Sequence, residues 1–172
     1  MEKIIASADE VNKIFYRIAY QVIERNDNMD NVIVAALLKG GLIPAKKICS
    51  ILKEITGKDI TFGQLNISPY RDDQGLSKPL LAVSDMPNVD GKTIIIIDDV
   101  ISTGRTVRAA IDAVFEYGRP DRVQLGVVVD VGHRELPIKP DFVGKNIPTA
   151  KNEKIKLNTA DINSISIKLI KQ

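Results

Sequence analysis

Three apolar runs, each ending in a cluster of polar residues, predict an α/β protein with a central, mostly parallel twisted sheet flanked by helices. The runs are NVIVAALL (31–38), TIIIID (93–98) and VQLGVVVD (123–130). They are too uniformly apolar for strands with one wet face and suit strands buried on both sides. Stretches with a helical period lie between them, so the order is strand, helix, strand, helix, strand. That order implies parallel βαβ units with right-handed crossovers. The 172 residues suit a single domain over 1–172.

Taken in order, residues 9–25 place Val11, Ile14, Phe15, Ile18, Ala19, Val22 and Ile23 on one helical stripe, with Asp9, and Ser7 nearby, as candidate N-cap. Asn26 to Asn31 is a polar turn. The first buried strand follows and is interrupted by Lys39-Gly40-Gly41. A helix then runs to about Glu54, with Pro44 tolerated in its first turn. ITFGQLNI (60–67) alternates enough for a strand. Ser68 to Asn88 is polar, holds three prolines and shows little periodicity, as expected of a functional or disordered loop. Asp90-Gly91 turns the chain into the second buried strand. Gly104 to Tyr117 is helical and ends at Gly118. The third buried strand follows, then shorter strand candidates near 141–144, 154–157 and 165–170.

Composition narrows the function. Charged residues make up 27% and the formal net charge is +2, so bulk charge does not mark a nucleic-acid binder, although a local basic patch is compatible with it. No tryptophan and 5% aromatics argue against a base-stacking module. Cys49 is the only cysteine and reads as a small buried apolar residue. It leaves no disulfide within the chain and points to a cytoplasmic setting. No apolar segment nears the length of a membrane span.

Open parallel sheets bind ligands beyond the carboxyl ends of their strands. Lys39-Gly40-Gly41, Asp98-Asp99 and Asp130 to Arg134 all fall there. Ser102, Thr103, Gly104, Arg105 and Thr106 join a strand to a helix N-terminus, where unsatisfied N–H groups and the helix dipole favour a phosphate. Neither the Walker A pattern nor the three-glycine dinucleotide pattern is present. Two carboxylates beside a phosphate require a cation or hydroxyl donors. Vicinal ribose hydroxyls, or Mg²⁺ carried by a polyphosphate, would serve. The pieces describe a ribose 5-phosphate site. The bland alternative is an acid pair beside an ordinary capped turn.

IIIIDDVISTGRT resembles the phosphoribosyl diphosphate (PRPP) signature of type I phosphoribosyltransferases: an apolar strand, two acids, then T-G-x-T. Residues 118–149, GRPDRVQLGVVVDVGHRELPIKPDFVGKNIPT, resemble the PyrR family throughout, as do YRIAYQVIERN and YRDD. The resemblance implies the type I phosphoribosyltransferase fold with a small hood and a flexible active-site loop. It implies transfer of the phosphoribosyl group from PRPP to uracil, giving UMP and diphosphate, with Mg²⁺ entering on PRPP. It also implies nucleotide-dependent (UMP or UTP) binding to a pyrimidine-operon mRNA leader, and a homodimer or homotetramer.

By this resemblance Asp98 and Asp99 hold the ribose hydroxyls, either of them able to meet Mg²⁺, and residues 102–106 wrap the 5-phosphate. Lys39, Gly40 and Gly41 form the diphosphate loop, entered through a peptide, Leu38–Lys39, that can be cis in the family. The loop carrying Tyr70, Arg71, Asp72 and Asp73 closes over the site, bringing Arg71 to the diphosphate. His133, Lys139, Phe142 and Val143 are the base-binding candidates, and Arg17, Lys151 and Lys154 the RNA-binding ones. Each charged candidate has a plainer reading as a solvated surface group.

Some positions depart from the family. Leu38-Lys39-Gly40-Gly41 stands where K-T-R-G is usual, Val131 replaces an arginine, and Ser102 replaces an aromatic residue. Around Arg17 the chain reads Tyr16-Arg17-Ile18-Ala19-Tyr20, without the family's threonine and histidine. L-K-G-G and K-P-D-F-V-G look more like hypoxanthine-guanine phosphoribosyltransferases, although Ser102 is a poor proton carrier for purine chemistry. Two rival readings follow: a purine phosphoribosyltransferase, and a non-catalytic nucleotide-sensing RNA regulator.

Overall fold

A computed structural model of the chain describes residues 1–72 and 84–172. Asp73 and the rest of the predicted loop to residue 83 lie outside the described residues. The element order is β1 (Glu2–Ala6), α1 (Ala8–Arg25), β2 (Val32–Leu37), α2 (Leu42–Thr56), β3 (Thr61–Leu65), β4 (Thr93–Ile101), α3 (Arg105–Phe115), β5 (Arg122–Asp130), β6 (Phe142–Asn146), β7 (Glu153–Asn158) and β8 (Ser166–Lys171). Short 3₁₀ turns cover Met29–Asn31 and Ser68–Tyr70.

Five strands form one parallel sheet in the order β3-β2-β4-β5-β6. Every residue of β2, and Thr93 to Asp98 of β4, is buried. The reason is two-sided cover. Val32, Val34, Ala36, Ile95 and Ile97 pack with α1 and α2. Ile33, Ala35, Leu37, Ile94 and Ile96 pack with Val107, Ala110 and Val114 of α3. A strand sandwiched in this way buries both of its alternating faces, so an unbroken isoleucine run is stable there.

The hood is an antiparallel sheet, β1-β8-β7. β1 lies outside the elements predicted from sequence. Its five residues EKIIA have weak alternation and gain their structure only by pairing with β8, at the far end of the chain. Leu157, Ile165 and Ile167 share one apolar cluster with Ile14, Phe15 and Ile18 of α1, which fastens hood to body.

Local chemistry moves several predicted boundaries. Ser7, not Asp9, caps α1. Its hydroxyl accepts from the Glu10 N–H at 3.4 Å, and Glu10 accepts from the Ser7 N–H at 2.8 Å, a reciprocal capping box. α3 begins after Gly104 and ends at Phe115, three residues short of Gly118. β4 runs on to Ile101, so Asp98 and Asp99 stand inside the strand rather than at its end. Continued pairing with β5, Asp98 beside Val127 and Ile101 beside Asp130, holds them there.

Candidate active site

Three loops meet above the carboxyl ends of the adjacent strands β2, β4 and β5. After β2, the Leu38–Lys39 peptide is cis, as the resemblance implied. Gly41 follows in a buried position, its N–H donating to Leu37 O at 2.8 Å. A side chain cannot fit there. A Cβ on Gly41 would run into the carbonyl oxygen of Ile97 and would stand 2.7 Å from Leu37 O and 2.9 Å from Leu37 N. Lys39 and Gly40 are exposed. A Cβ on Gly40 would lie 2.5–2.7 Å from the carboxylate of Asp99, so this acid rests directly against the loop. The loop after β2 and the acids of β4 therefore form one surface.

Asp98 is buried, with 6% of its surface exposed, whereas Asp99 is half-buried. Asp98 accepts from the Asp99 N–H at 2.9 Å, and Asp99 from the Val100 N–H at 2.7 Å. Burial, and then the neighbouring charge of Asp99, push the Asp98 carboxyl well above the ordinary carboxylate value. A ligand presenting hydroxyl donors, or a cation, would relieve both effects.

Gly104 is the N-cap of α3 and takes φ +92°, open to glycine at little cost. The Arg105 N–H donates to Thr103 Oγ1 at 3.3 Å, and the helix N-terminus with its two threonines, Thr103 and Thr106, is chemistry suited to a phosphate. Arg105 is held from two sides. Its Nε donates to Glu135 at 2.9 Å and its Nη1 to Asp72 at 2.7 Å. These hydrogen bonds and charges raise the guanidinium pKa further. Arg71 directly precedes Asp72, at the end of the Ser68–Tyr70 turn, and Arg108 Nη1 donates to Tyr70 O at 3.3 Å. The stem of the predicted loop thus lies against the start of α3.

The third wall is the segment after β5. Arg134 donates to Ser102 O and Ile138 O, each at 2.8 Å, and to Asp130 Oδ2 at 2.5 Å. Burial pushes the Asp130 carboxyl up, but the Arg134 hydrogen bond, the Gly132 N–H and the arginine charge outweigh it and hold the group below its ordinary value. His133 has φ +61°, and its Nε2 lies 2.8 Å from Thr149 O. This joins the segment to the strap that leads into β7. Between them opens a cavity of about 610 Å³ lined by Ser102, Thr103, Val131, His133, Thr149 and Lys151, among others. It has an apolar side, from Val100, Val131 and Ile155, and a polar rim.

The structure brings together Lys39, Gly40 and Gly41, Asp98 and Asp99, Ser102 to Thr106, and His133, with Arg71 beside Asp72 at the edge. It does not bring Lys139, Phe142 and Val143 to the His133 cavity. They line a separate shallow concavity with Gln21, Glu24 and Arg25. Asp141 N–H donates to Leu125 O at 2.8 Å as the chain enters β6, and Phe142 is buried in the core. Lys151 and Lys154, read from sequence as RNA contacts, line the His133 cavity. Arg17 donates to Gly144 O at 2.8 Å, which ties α1 to β6. Among the described residues no group of three or more His, Cys, Asp or Glu could hold a metal.

Residues 3–160 match the phosphoribosyl transferase domain family. A bifunctional protein PyrR of Elusimicrobium minutum is 44% identical over 166 residues, covering 94% of this chain and 93% of the relative. Another, from Streptococcus suis, is 47% identical over 146 residues, 85% of this chain and 83% of the relative. The chain belongs to the PyrR family of phosphoribosyltransferases. Among solved structures, a hypoxanthine-guanine phosphoribosyltransferase of Bacillus anthracis superposes with a TM-score of 0.74 at 22% identity, covering 95% of this chain and 96% of that one. At that identity it shows the fold, which this PyrR-family chain shares, and not the base.

Some lining groups of the PyrR-family cavity escape a reading of sequence alone. Thr149, Ile155 and Val100 carry no chemical signature, and they come together only because the hood folds back over β4. Arg134 and Glu135 did carry a signal: adjacent opposite charges in GHREL, immediately after a buried strand.

Proposed function

We propose that this protein transfers the phosphoribosyl group of PRPP to uracil, forming UMP and diphosphate, and that occupancy of the same cavity by UMP or UTP governs binding to a pyrimidine-operon mRNA leader. The observation that carries the reading is the single rim on which a phosphate-ready turn, two adjacent acids, the Lys39–Gly41 loop and a base-sized cavity adjoin one another. Asp98 and Asp99 accept the ribose hydroxyls. Thr103, Gly104, Arg105 and Thr106 surround the 5-phosphate, and Lys39 with the Gly40 and Gly41 backbone receives the diphosphate, with Arg71 at the loop stem.

Carbon–nitrogen bond formation at the sugar passes through an oxocarbenium-like state, so alignment and charge placement supply most of the acceleration. Mg²⁺ arriving on PRPP would neutralise the leaving diphosphate. Its fit is favourable at the Asp99 carboxylate, which lies against Gly40 and would repel a bare diphosphate there. Lys151 and Lys154 serve the nucleotide cavity in this reading, and the RNA face draws on Arg17 and other basic surface. A cytoplasmic homodimer or homotetramer is the expected form.

A panel of uracil, hypoxanthine and guanine with PRPP and Mg²⁺ tests the assignment. UMP formation from uracil alone is the expected outcome. Turnover of a purine without uracil would reassign the base. Tight UMP and leader-RNA binding without turnover of any base would leave a regulator only.

A further inference from the structure

Glu135 has no role in the site as described, yet it joins the site's two halves. Its N–H donates to Thr103 O at 2.9 Å, and the Leu136 N–H donates to the same oxygen at 3.2 Å. Its carboxylate accepts from Arg105 Nε at 2.9 Å, while Asp72 takes the other side of the guanidinium at 2.7 Å. Glu135 also lines the His133 cavity. Glu135 therefore joins Arg134, which donates to Ser102 O, in setting how far the cavity wall stands from the turn at Gly104, and it alone does so through the Arg105 side chain.

Side-chain exposure is 46% for Arg105 and 53% for Glu135, so the ion pair adds little to global stability. Its effect is geometric. With phosphate on the turn and base in the cavity, the sugar carbon and the base nitrogen must meet between two loops that different strands deliver. A displacement of about 1 Å at such a junction can cost about 10²-fold in rate. Two carboxylates already engage Arg105, so its guanidinium braces the turn, while N–H groups and hydroxyls receive the phosphate.

We infer that Glu135 is a positioning residue for phosphoribosyl transfer, acting through Arg105 to hold the phosphate turn and the base cavity at reacting distance. The inference rests on the function proposed above.

The test compares wild type, Glu135→Gln, Glu135→Ala, Arg105→Ala and the Glu135→Gln/Arg105→Ala double variant. Measurements are kcat, KM for PRPP, UMP affinity by calorimetry and the thermal midpoint. The two Glu135 single variants should lose about tenfold or more in kcat, with KM and UMP affinity within about threefold, whereas Arg105→Ala, within the phosphate turn, should lose at least as much in kcat. Thermal midpoints should stay within about 2 °C, as suits an exposed pair. The double variant should be no slower than the slower single one, because both remove the same brace. Unchanged kcat, a change confined to KM and UMP affinity, or kcat losses that multiply would each overturn the inference. Wild type that forms no UMP would overturn the function and this inference together. Active wild type with unaffected variants would overturn the positioning role alone.

Discussion

Asp98 is a carboxyl that its own fold disfavours in the charged form. It ends a run of isoleucines in the interior of a sheet, where a carboxylate is costly to ionise. Burial and the Asp99 charge raise its folded pKa above the unfolded value, so the native state binds the extra proton between those two values. Stability must then fall as pH rises through that window. Asp98→Asn removes the titration. The variant should melt higher than wild type at neutral pH and close to it below the ordinary carboxylate range, as thermal unfolding against pH would reveal. Under the proposed function turnover should drop by about 10²-fold or more, since a carboxylate facing the sugar hydroxyls is replaced by a neutral amide. A variant no more stable than wild type at pH 7 would contradict the burial argument.

At the scale of elements, the turns between strands and helices hold the tightest constraints. Gly41 sits where the backbone of the β2–α2 turn approaches Ile97 O and Leu37 O too closely for any Cβ. Gly41→Ala should destabilise by about 2 kcal/mol or more, because the obstruction is backbone and cannot rotate away. Chemical denaturation would measure this, and a loss below about 0.5 kcal/mol would mean that the turn relaxes freely. The pattern that marked these elements was legible because a doubly covered parallel strand must be apolar on both faces. β1 escaped notice for the converse reason. A five-residue hood strand covered on one side gains little from its own composition and depends on β8.

For the whole molecule, the question is whether hood and body behave as one unit. Ile167 of β8 is fully buried in the cluster that includes Phe15 and Ile18 of α1. Ile167→Ala should cost about 3 kcal/mol and keep a single unfolding transition. Two transitions by different probes would show that the hood melts by itself. The same packing shapes the site, since the hood carries Thr149, Lys151, Lys154 and Ile155 over the strand ends. None of the described helices is long and apolar enough to cross a membrane.

The layered α/β architecture, the turn at Gly104 that suits a phosphate, the paired acids and the glycine turn after β2 were all legible in the sequence alone. Each of these is a local pattern: a hydrophobic period, a glycine where a helix starts, or acids beside an apolar run. Which residues wall the His133 cavity was settled by the tertiary fold alone. It moved Lys151 and Lys154 there, sent Lys139, Phe142 and Val143 to another face, and set Glu135 between turn and cavity. Those relations depend on where the hood and the segment after β5 come to rest, and that is governed by contacts between residues distant in the chain.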